Sequence, residues 1–255
     1  MYSIHFLTLD SDPIFFIAMV LLVSAFIHGS VGFGFPMIST PILAMGMDLS
    51  SAIMVTLLPT ILLNTMSIRN AKGWKRLVQK HFPFAVLALS GSMLGTLILV
   101  VWDAHWMKVL LALMIVLYLA LEKLEVDLEF MNRYKRTVFV SFSLIGGILG
   151  GITNIMSPIL IMYALLKRYS KEESIVFMNL SFLLGKLSQT AIFLLMGHWL
   201  SGEMLLYTTI PALGGFLIGV KIKKSIPDKT YTAIVKVLLL LIAIAIVVRY
   251  ANAAG

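Results

Sequence analysis

The sequence contains no cysteine, which excludes a disulfide framework, a thiolate metal site and a thiol nucleophile. Charged residues are also scarce, since only 13% of the 255 residues are charged whereas 60% are hydrophobic. So small a polar fraction cannot cover the surface of a soluble globule of this length. The composition therefore argues against a cytosolic enzyme, a nucleic-acid-binding protein and a secreted module, and predicts a membrane protein.

Acidic residues are missing from the long apolar stretches, because all 12 Asp and Glu lie in polar segments or at the edges of the stretches. A proton relay built on buried carboxylates is therefore not expected. The chain also lacks a His–Glu metal spacing, a recognisable serine–histidine motif and a phosphate loop. We accordingly predict no metal, no cofactor and no enzymatic activity.

Most of the apolar sequence divides into stretches of membrane-spanning length. A bilayer core of about 30 Å needs about 20 apolar residues in a helix. Six stretches meet this requirement within ordinary boundary error: Ser50–Ile68, Phe82–Val101, Trp106–Leu121, Ser174–Met196, Met204–Val220 and Tyr231–Val248.

Two further apolar regions, Pro13–Met45 and Thr137–Leu166, are too long for one upright span and too short for two. Each is interrupted, the first by the glycine-rich run 29–36 and the second by the run 146–154, with Pro158 beyond it. Non-helical backbone survives at membrane depth only where protein or a water-filled cavity satisfies its amide groups. We therefore predict that each region is a broken, re-entrant helical hairpin.

The distribution of positive charge supports the hairpins. If each hairpin enters and leaves on one side, four polar loops share one face and hold 16 of the 20 Lys and Arg residues: Arg69–Lys80, Glu122–Arg136, Lys167–Lys171 and Lys221–Lys229. If both regions were full spans instead, these loops would divide between two faces. Because basic loops concentrate on the cytoplasmic side, we predict a cytoplasmic-membrane protein with both termini outside the cytoplasm.

The two halves of the chain resemble each other. Gly34–Leu43 matches Gly151–Leu160 at an offset of 117 positions. This places a first repeat at 1–122, a cytoplasmic linker at 123–136 and a second repeat at 137–255. Each repeat holds one hairpin and three spans, an odd number of crossings, so the second copy is expected to be inverted. Inverted repeats with discontinuous helices are a recurrent transporter plan.

Each half also carries a pair of glycines four residues apart inside an unbroken span: Gly91 with Gly95, and Gly215 with Gly219. Small residues at this spacing let membrane helices approach closely. No proline interrupts either pair, so we predict that these glycines serve helix packing rather than binding.

The paired Gly-rich-then-Pro segments, Gly29–Pro36 and Gly146–Pro158, resemble those of the TauE/SafE-type sulfite exporter family. The resemblance extends over essentially the whole chain. It implies a cytoplasmic-membrane permease, in a family whose members are associated with export of sulfite or small organosulfonates.

The chemistry of helix starts identifies a candidate anion site. A helix that begins at mid-depth directs unsatisfied N–H groups and the positive end of its dipole into the cavity. The returning arm of the first hairpin is expected to begin near Phe35 and Pro36, and in the second hairpin Thr153, Asn154 or Ser157 is expected to cap the arm, with Pro158 in its first turn. The predicted binding residues of the two hairpins are Gly32, Phe33, Gly34, Phe35, Pro36, Ser39, Gly151, Thr153, Asn154 and Ser157.

Lys186 is the deepest charge, 15 positions after Lys171 and 12 before His198. A buried ammonium costs about 2.5 kcal/mol or more on insertion scales, so we expect it to be a functional counter-charge. The alternative is that it only bonds backbone carbonyls freed by a break. Gln189 shares its helical face, and Asn64 lies on a polar face of another span, so both are predicted binding residues.

His28 directly precedes the first break, which makes it the candidate coupling residue. The alternative is a hydrogen-bonded structural histidine, because a lone buried imidazole is commonly of that kind.

These features predict a secondary transporter of a small inorganic or organic anion that works by alternating access around a midplane site. The resemblance to the TauE/SafE-type family implies that the anion is sulfite or an organosulfonate. An anion channel of the same architecture is the main alternative, and a membrane-embedded enzyme or a scaffold is disfavoured. The expected partners are the anion and membrane lipid, with no nucleic acid, and pairing into a homodimer is left open.

Overall fold

The computed structural model describes residues 13–102, 106–120 and 133–222, and within these ranges the chain forms nine α-helices and no β-strand. The predicted class, an all-helical polytopic membrane protein, is confirmed. The predicted span Tyr231–Val248, both chain termini and most of the linker at 123–136 lie outside the described residues.

In chain order the described helices are α1 (Pro13–Val31), α2 (Phe35–Ala44), α3 (Leu49–Asn70), α4 (Trp74–Val101), α5 (Trp106–Ala120), α6 (Lys135–Thr153), α7 (Ser157–Leu166), α8 (Lys171–Leu195) and α9 (Gly202–Ile222). Among them, six are long and apolar enough to cross a membrane: α1, α3, α4, α6, α8 and α9. Helices α2 and α7 have 10 residues each. At 1.5 Å per residue each spans only about half of a bilayer core, as the returning arm of a hairpin would.

One predicted loop is mostly helical. The chain between α3 and α4 is only three residues long, because α4 begins at Trp74 and not near Phe82. Gly73 precedes α4 with φ 68°, a left-handed conformation that glycine adopts without steric penalty. Lys75 and Arg76 in the first turn of α4 are exposed, so the helix carries its charges beyond the apolar part of the span.

The internal repeat has a different register from the predicted one. Helices α1 and α6 have 19 residues each and start 122 positions apart, and α2 and α7 are also equal in length and 122 positions apart. The predicted offset of 117, which aligned Pro41 with Pro158, is therefore wrong for the hairpins. Pro36 occupies in the first turn of α2 the place that Pro158 occupies in α7, because proline is favoured where the N–H has no helical partner.

The third helix of each repeat keeps the 122-residue offset, since α3 starts at Leu49 and α8 at Lys171. The N-terminal hydrogen bonds are equivalent: Asp48 Oδ1 accepts the Ser51 N–H at 2.8 Å, and Ser170 Oγ accepts the Glu173 N–H at 3.3 Å. Each satisfies one of the free N–H groups at its helix start.

The described helices divide between two compact units that cross the predicted repeats. Unit 1 comprises Met1–Leu63, His105–Val116 and Trp199–Gly255, and it joins the first hairpin to α9. In unit 1 the Ser30 hydroxyl donates to the carbonyl of Gly219 at 3.3 Å. Successive residues of α1 meet successive residues of α9, so these two helices run in the same direction.

Unit 2 comprises Asn64–Ala104 and Leu117–His198, and it joins the second hairpin to α4 and α8. The Ser92 hydroxyl of α4 donates to the Gly185 carbonyl of α8 at 3.1 Å. The rings of Phe84 and Phe177 lie edge to face with centroids 4.8 Å apart. Both contacts join positions 93 residues apart, so α4 and α8 run in the same direction.

The paired glycines allow the backbones of the long helices to touch. A methyl group on Gly91, Gly95, Gly215 or Gly219 would come within 3.0 Å of a carbonyl oxygen of the facing helix, α6 for the first two and α1 for the others. The predicted packing role of these four glycines is therefore confirmed.

The glycine run of the second hairpin has the same packing role. Gly146 to Gly151 belong to α6, so the predicted interruption at these residues is wrong, and the chain breaks only after Thr153. A methyl group on Gly147 or Gly151 would overlap the backbone of α4, just as one on Gly29 would overlap α9. Gly151 thus lies in a packed helix and not in the break.

Candidate functional site

The break in unit 2 is a short connection built around one left-handed residue. Asn154 ends α6 with φ 65°, and its N–H donates to the Gly150 carbonyl at 2.9 Å. Asparagine tolerates this conformation better than most residues, which is why it can replace glycine after a helix. With two further residues, Ile155 and Met156, the chain turns into α7, which starts at Ser157.

Lys186 of α8 is bound directly to this break. Its ammonium donates hydrogen bonds to Asn154 Oδ1 and Gln189 Oε1. The Gln189 amide in turn donates through Nε2 to the Gly151 carbonyl at 2.9 Å, which orients its oxygen toward the lysine. Lys186, Gln189 and Asn154 are all buried. The structure thus brings together four predicted site residues, Lys186, Asn154, Gln189 and Gly151. The acceptors of the Lys186 ammonium are side-chain amides, whereas the structural alternative for this lysine predicted backbone carbonyls freed by the break.

The charge of Lys186 has no carboxylate beside it among the described residues. The ion pairs found among the described residues join Lys80 and His81 to Glu173, at the start of α8. Removing a charge from water is expensive unless an opposite charge compensates it. Lysine has three donor protons, and the two side-chain amides take two of them. A small anion would supply both the missing charge and the third acceptor.

The start of α7 offers further donors, although the predicted cap is wrong. Met156 occupies the N-cap position and makes no side-chain hydrogen bond to the helix, so none of Thr153, Asn154 and Ser157 caps it. Thr153 Oγ1 instead accepts the Ile155 N–H at 3.2 Å, within the connection. The Ser157 hydroxyl is buried and has no hydrogen-bond partner. The first N–H groups of a helix lack intrahelical partners, so this end can receive an oxyanion.

The break in unit 1 uses glycine and histidine. Gly32 and Gly34 both have φ 103°, which glycine adopts without penalty. Helix α2 begins at Phe35 with Pro36 in its first turn, as predicted. The Phe35 N–H donates to Nδ1 of the buried His28 at 3.2 Å, so the imidazole satisfies the first free amide of α2.

The remaining predicted residues of the first hairpin differ in accessibility. Phe35, Pro36 and Ser39 are buried, whereas Phe33 is partly exposed. The Ser39 hydroxyl donates to the Phe35 carbonyl of its own helix at 2.9 Å, so its proton is already used. Of the predicted residues, the structure therefore joins Phe35 to His28 in unit 1. In unit 2 it joins Asn154 and Gln189 to Lys186, and Gln189 to Gly151.

Asn64 is the position in the first repeat that corresponds to Lys186. Asn64 follows Asp48 by 16 residues, and Lys186 follows Ser170 by 16 residues. The Asn64 side chain is buried, and its Nδ2 donor has no hydrogen-bond partner. An alignment at 122 would have revealed this equivalence in the sequence, but the offset of 117 concealed it.

One end of unit 2 carries a polar cluster that the sequence did not reveal. Glu173 accepts hydrogen bonds from Lys80 Nζ at 2.5 Å and pairs with His81 Nε2 at 3.0 Å. The His81 ring also lies against Tyr169, which is in the connection between α7 and α8. Burial, and then the neighbouring Tyr163 and Glu173, raise the pKa of Tyr169, so its phenol stays protonated. The predicted loops Arg69–Lys80 and Lys167–Lys171 therefore meet at one end of this unit.

No three His, Asp or Glu side chains within the described ranges come together as a metal site would require.

A family model described as sulfite exporter TauE/SafE matches residues 16–246, nearly the whole chain. No curated protein and no solved structure matches the chain. The matched range includes both hairpin breaks and Lys186.

Proposed function

Because the chain belongs to the TauE/SafE sulfite exporter family, we propose that it is a secondary transporter that carries a small anion, sulfite or an organosulfonate, across the cytoplasmic membrane. The chain is a multi-pass membrane protein of a transporter family.

The observation that carries the proposal is the buried Lys186 beside the break of unit 2. Its ammonium is held by Asn154 and Gln189 and has no carboxylate partner among the described residues. A site with a fixed positive charge and spare donors selects a ligand that brings negative charge and acceptors only. Sulfite and sulfonates fit this description, since their charge is spread over three oxygen acceptors.

We assign the remaining donors in unit 2 to the oxygens of this anion. They are the unpartnered Ser157 hydroxyl and the N–H groups at the start of α7. Helix α2 of unit 1 begins in the same way after Gly34. In the first repeat, Asn64 takes the position that Lys186 takes in the second.

The proposed topology keeps both termini outside the cytoplasm and the basic end of unit 2 inside. Basic residues at the ends of α3, α4 and α8 meet there, which is typical of the cytoplasmic side. The proposed mechanism is alternating access between inverted repeats, as in other transporters with broken helices.

Flux measurements on purified protein in proteoliposomes test this proposal. Vesicles loaded with unlabelled sulfite are diluted into labelled sulfite, and a carrier then gives a transient overshoot of label that a channel does not. Lys186→Met removes one charge-assisted hydrogen bond, worth about 1.5–3 kcal/mol, and should raise the half-saturating sulfite concentration about 10- to 100-fold.

Lys80→Met is the matched control, because it removes a cation from the same unit at a side chain that is 56% exposed. It should leave half-saturation unchanged. A folded Lys186→Met protein with wild-type half-saturation would remove the lysine from the site. Failure of the wild-type protein to exchange sulfite or a sulfonate such as methanesulfonate would refute the proposed function.

A further inference from the structure

The hydrogen bond between Phe35 and His28 defines the protonation state of the imidazole in this conformation. A backbone N–H can only donate, so Nδ1 of His28 acts as the acceptor and carries no proton. The neutral ring therefore bears its hydrogen on Nε2. The side chain lies seven residues before the amide that it satisfies, and it spans the two left-handed glycines of the break.

This bond occupies the amide that an anion at α2 would use first. The N–H of Phe35 belongs to the first turn of α2, and the next residue is Pro36, which has no N–H. In the neutral state of His28 the start of α2 is therefore partly blocked. Protonation of Nδ1 would remove the acceptor lone pair, release the Phe35 amide and add one positive charge beside it.

Few other ionisable groups lie on the helices that surround His28. It is the only ionisable residue of α1, and α2 has none. On α9, which packs along α1, the Phe216 ring faces the imidazole at 5.8 Å. The ionisable residues of α9 are Glu203 and Tyr207 near its start and Lys221 at its end. Glu203 is in the first turn of α9, whereas Phe216, which faces the imidazole, is near its end. These three helices therefore place no carboxylate next to the imidazole as a proton donor.

We propose that His28 couples transport to protons: uptake of a proton at Nδ1 frees the Phe35 amide, and the imidazolium and this amide together bind the anion at the start of α2. Loss of the anion restores the bond and returns the proton, so proton and anion move together. The proposal rests on the proposed function, and it identifies the coupling ion.

The second repeat lacks this device. At the 122-residue offset the counterpart of His28 is Gly150, and the side chain of Met156 fills the space above it. A methyl group on Gly150 would come within 2.8 Å of the Met156 Cε atom. In this proposal one histidine, at the break of the first repeat, carries one proton in each transport cycle.

Proton-driven accumulation in proteoliposomes tests the coupling. His28→Asn is the informative variant, because the asparagine Oδ1 can accept the Phe35 N–H but cannot take up a proton. A gradient of one pH unit corresponds to about tenfold accumulation of sulfite when one proton accompanies each anion. We expect this accumulation in the wild type after subtraction of uptake by protein-free vesicles, which measures diffusion of sulfur dioxide.

The His28→Asn protein keeps the Phe35 amide bonded and cannot take up the proton, so it should lose the tenfold accumulation and need a higher sulfite concentration for half-maximal counterflow. His198→Asn, in the connection between α8 and α9, is the matched control and should keep both activities. Accumulation retained in His28→Asn would overturn the inference while leaving the proposed function intact. Absence of counterflow in the wild type would instead refute the proposed function and the inference with it.

A second measurement applies if His28→Asn does not fold. Nitrogen NMR of histidine-labelled wild-type protein in bilayers reports directly on Nδ1. At a fixed pH of about 5, the Nδ1 signal of His28 should be unprotonated without sulfite and protonated with saturating sulfite, because the bound anion stabilises the imidazolium. An Nδ1 signal that stays unprotonated in both conditions would overturn the inference.

Discussion

Adjacent glycines of α9 offer a sharp test of the packing in unit 1. A methyl group on Gly215 would meet the Leu22 carbonyl oxygen and, at 3.1 Å, the Phe26 nitrogen, both backbone atoms of α1. A methyl group on Gly214, one position earlier, would meet nothing within 4 Å. The substitutions Gly215→Ala and Gly214→Ala thus make the same chemical change at two neighbouring positions, of which only Gly215 contacts α1.

The expected magnitudes follow from these contacts. Backbone cannot move aside as a flexible side chain does, so Gly215→Ala forces α1 and α9 apart, and overpacking of this kind costs about 1–3 kcal/mol. Gly214→Ala avoids that cost and lowers the backbone entropy of the unfolded chain, which contributes about 0.4–1 kcal/mol to stability. The free energies of unfolding of the two variants should therefore differ by roughly 1–4 kcal/mol, with Gly215→Ala below the wild type and Gly214→Ala above it.

Thermal unfolding in detergent, followed by the fluorescence of the aromatic residues, measures the difference. For a chain of this size 1 kcal/mol corresponds to about 2–4 °C in Tm. Gly215→Ala should melt below the wild type and Gly214→Ala at or above it. Equal melting of the two variants would refute the proposed backbone contact between α1 and α9.

Two further predictions concern unit 2. Asn154→Gly and Asn154→Ala both remove one of the two side-chain acceptors of Lys186. Only alanine is strained at φ 65°, so the alanine variant should be less stable than the glycine variant by about 1–2 kcal/mol in chemical denaturation. Equal stability would contradict the left-handed conformation. Lys80→Met breaks an ion pair that is half exposed and should lower stability by less than about 1 kcal/mol, whereas a larger loss would show that the pair with Glu173 is shielded from solvent.

The presence of a break in each of the two long apolar regions could be predicted from the sequence because its signals are local. A proline in the first turn indicates where the helix after the break begins. The start of α2 at Phe35 followed this rule. The same reasoning failed for the start of the break in the second hairpin. A glycine-rich run can be helical where the backbone of a facing helix occupies the space that side chains would take. Gly147 and Gly151 contact the backbone of α4 in this way.

The register of the repeat was not predictable from matching letters. The offset of 117 aligned identical residues, whereas the structure repeats equivalent contacts. Gly215 meets the carbonyl of Leu22, and Gly91 meets the carbonyl of Leu144, the residue 122 positions after Leu22. The side-chain partners of Lys186 were equally hidden. Its bond to Asn154 joins residues 32 positions apart, and only the packing of α6 beside α8 brings them within reach.

The crossing of the repeats between units has a consequence for biosynthesis. The first hairpin finds its packing surface in α9, and the bond from Ser30 to Gly219 joins residues 189 positions apart. At about 5–20 residues per second, the ribosome needs roughly 10–40 s to deliver that helix after α1 has emerged. During this interval the face of α1 that packs against α9 must be sheltered by lipid, by the insertion machinery or by a chaperone. Defects in membrane insertion should therefore appear first in the earliest helix and be relieved only when the last part of the chain arrives.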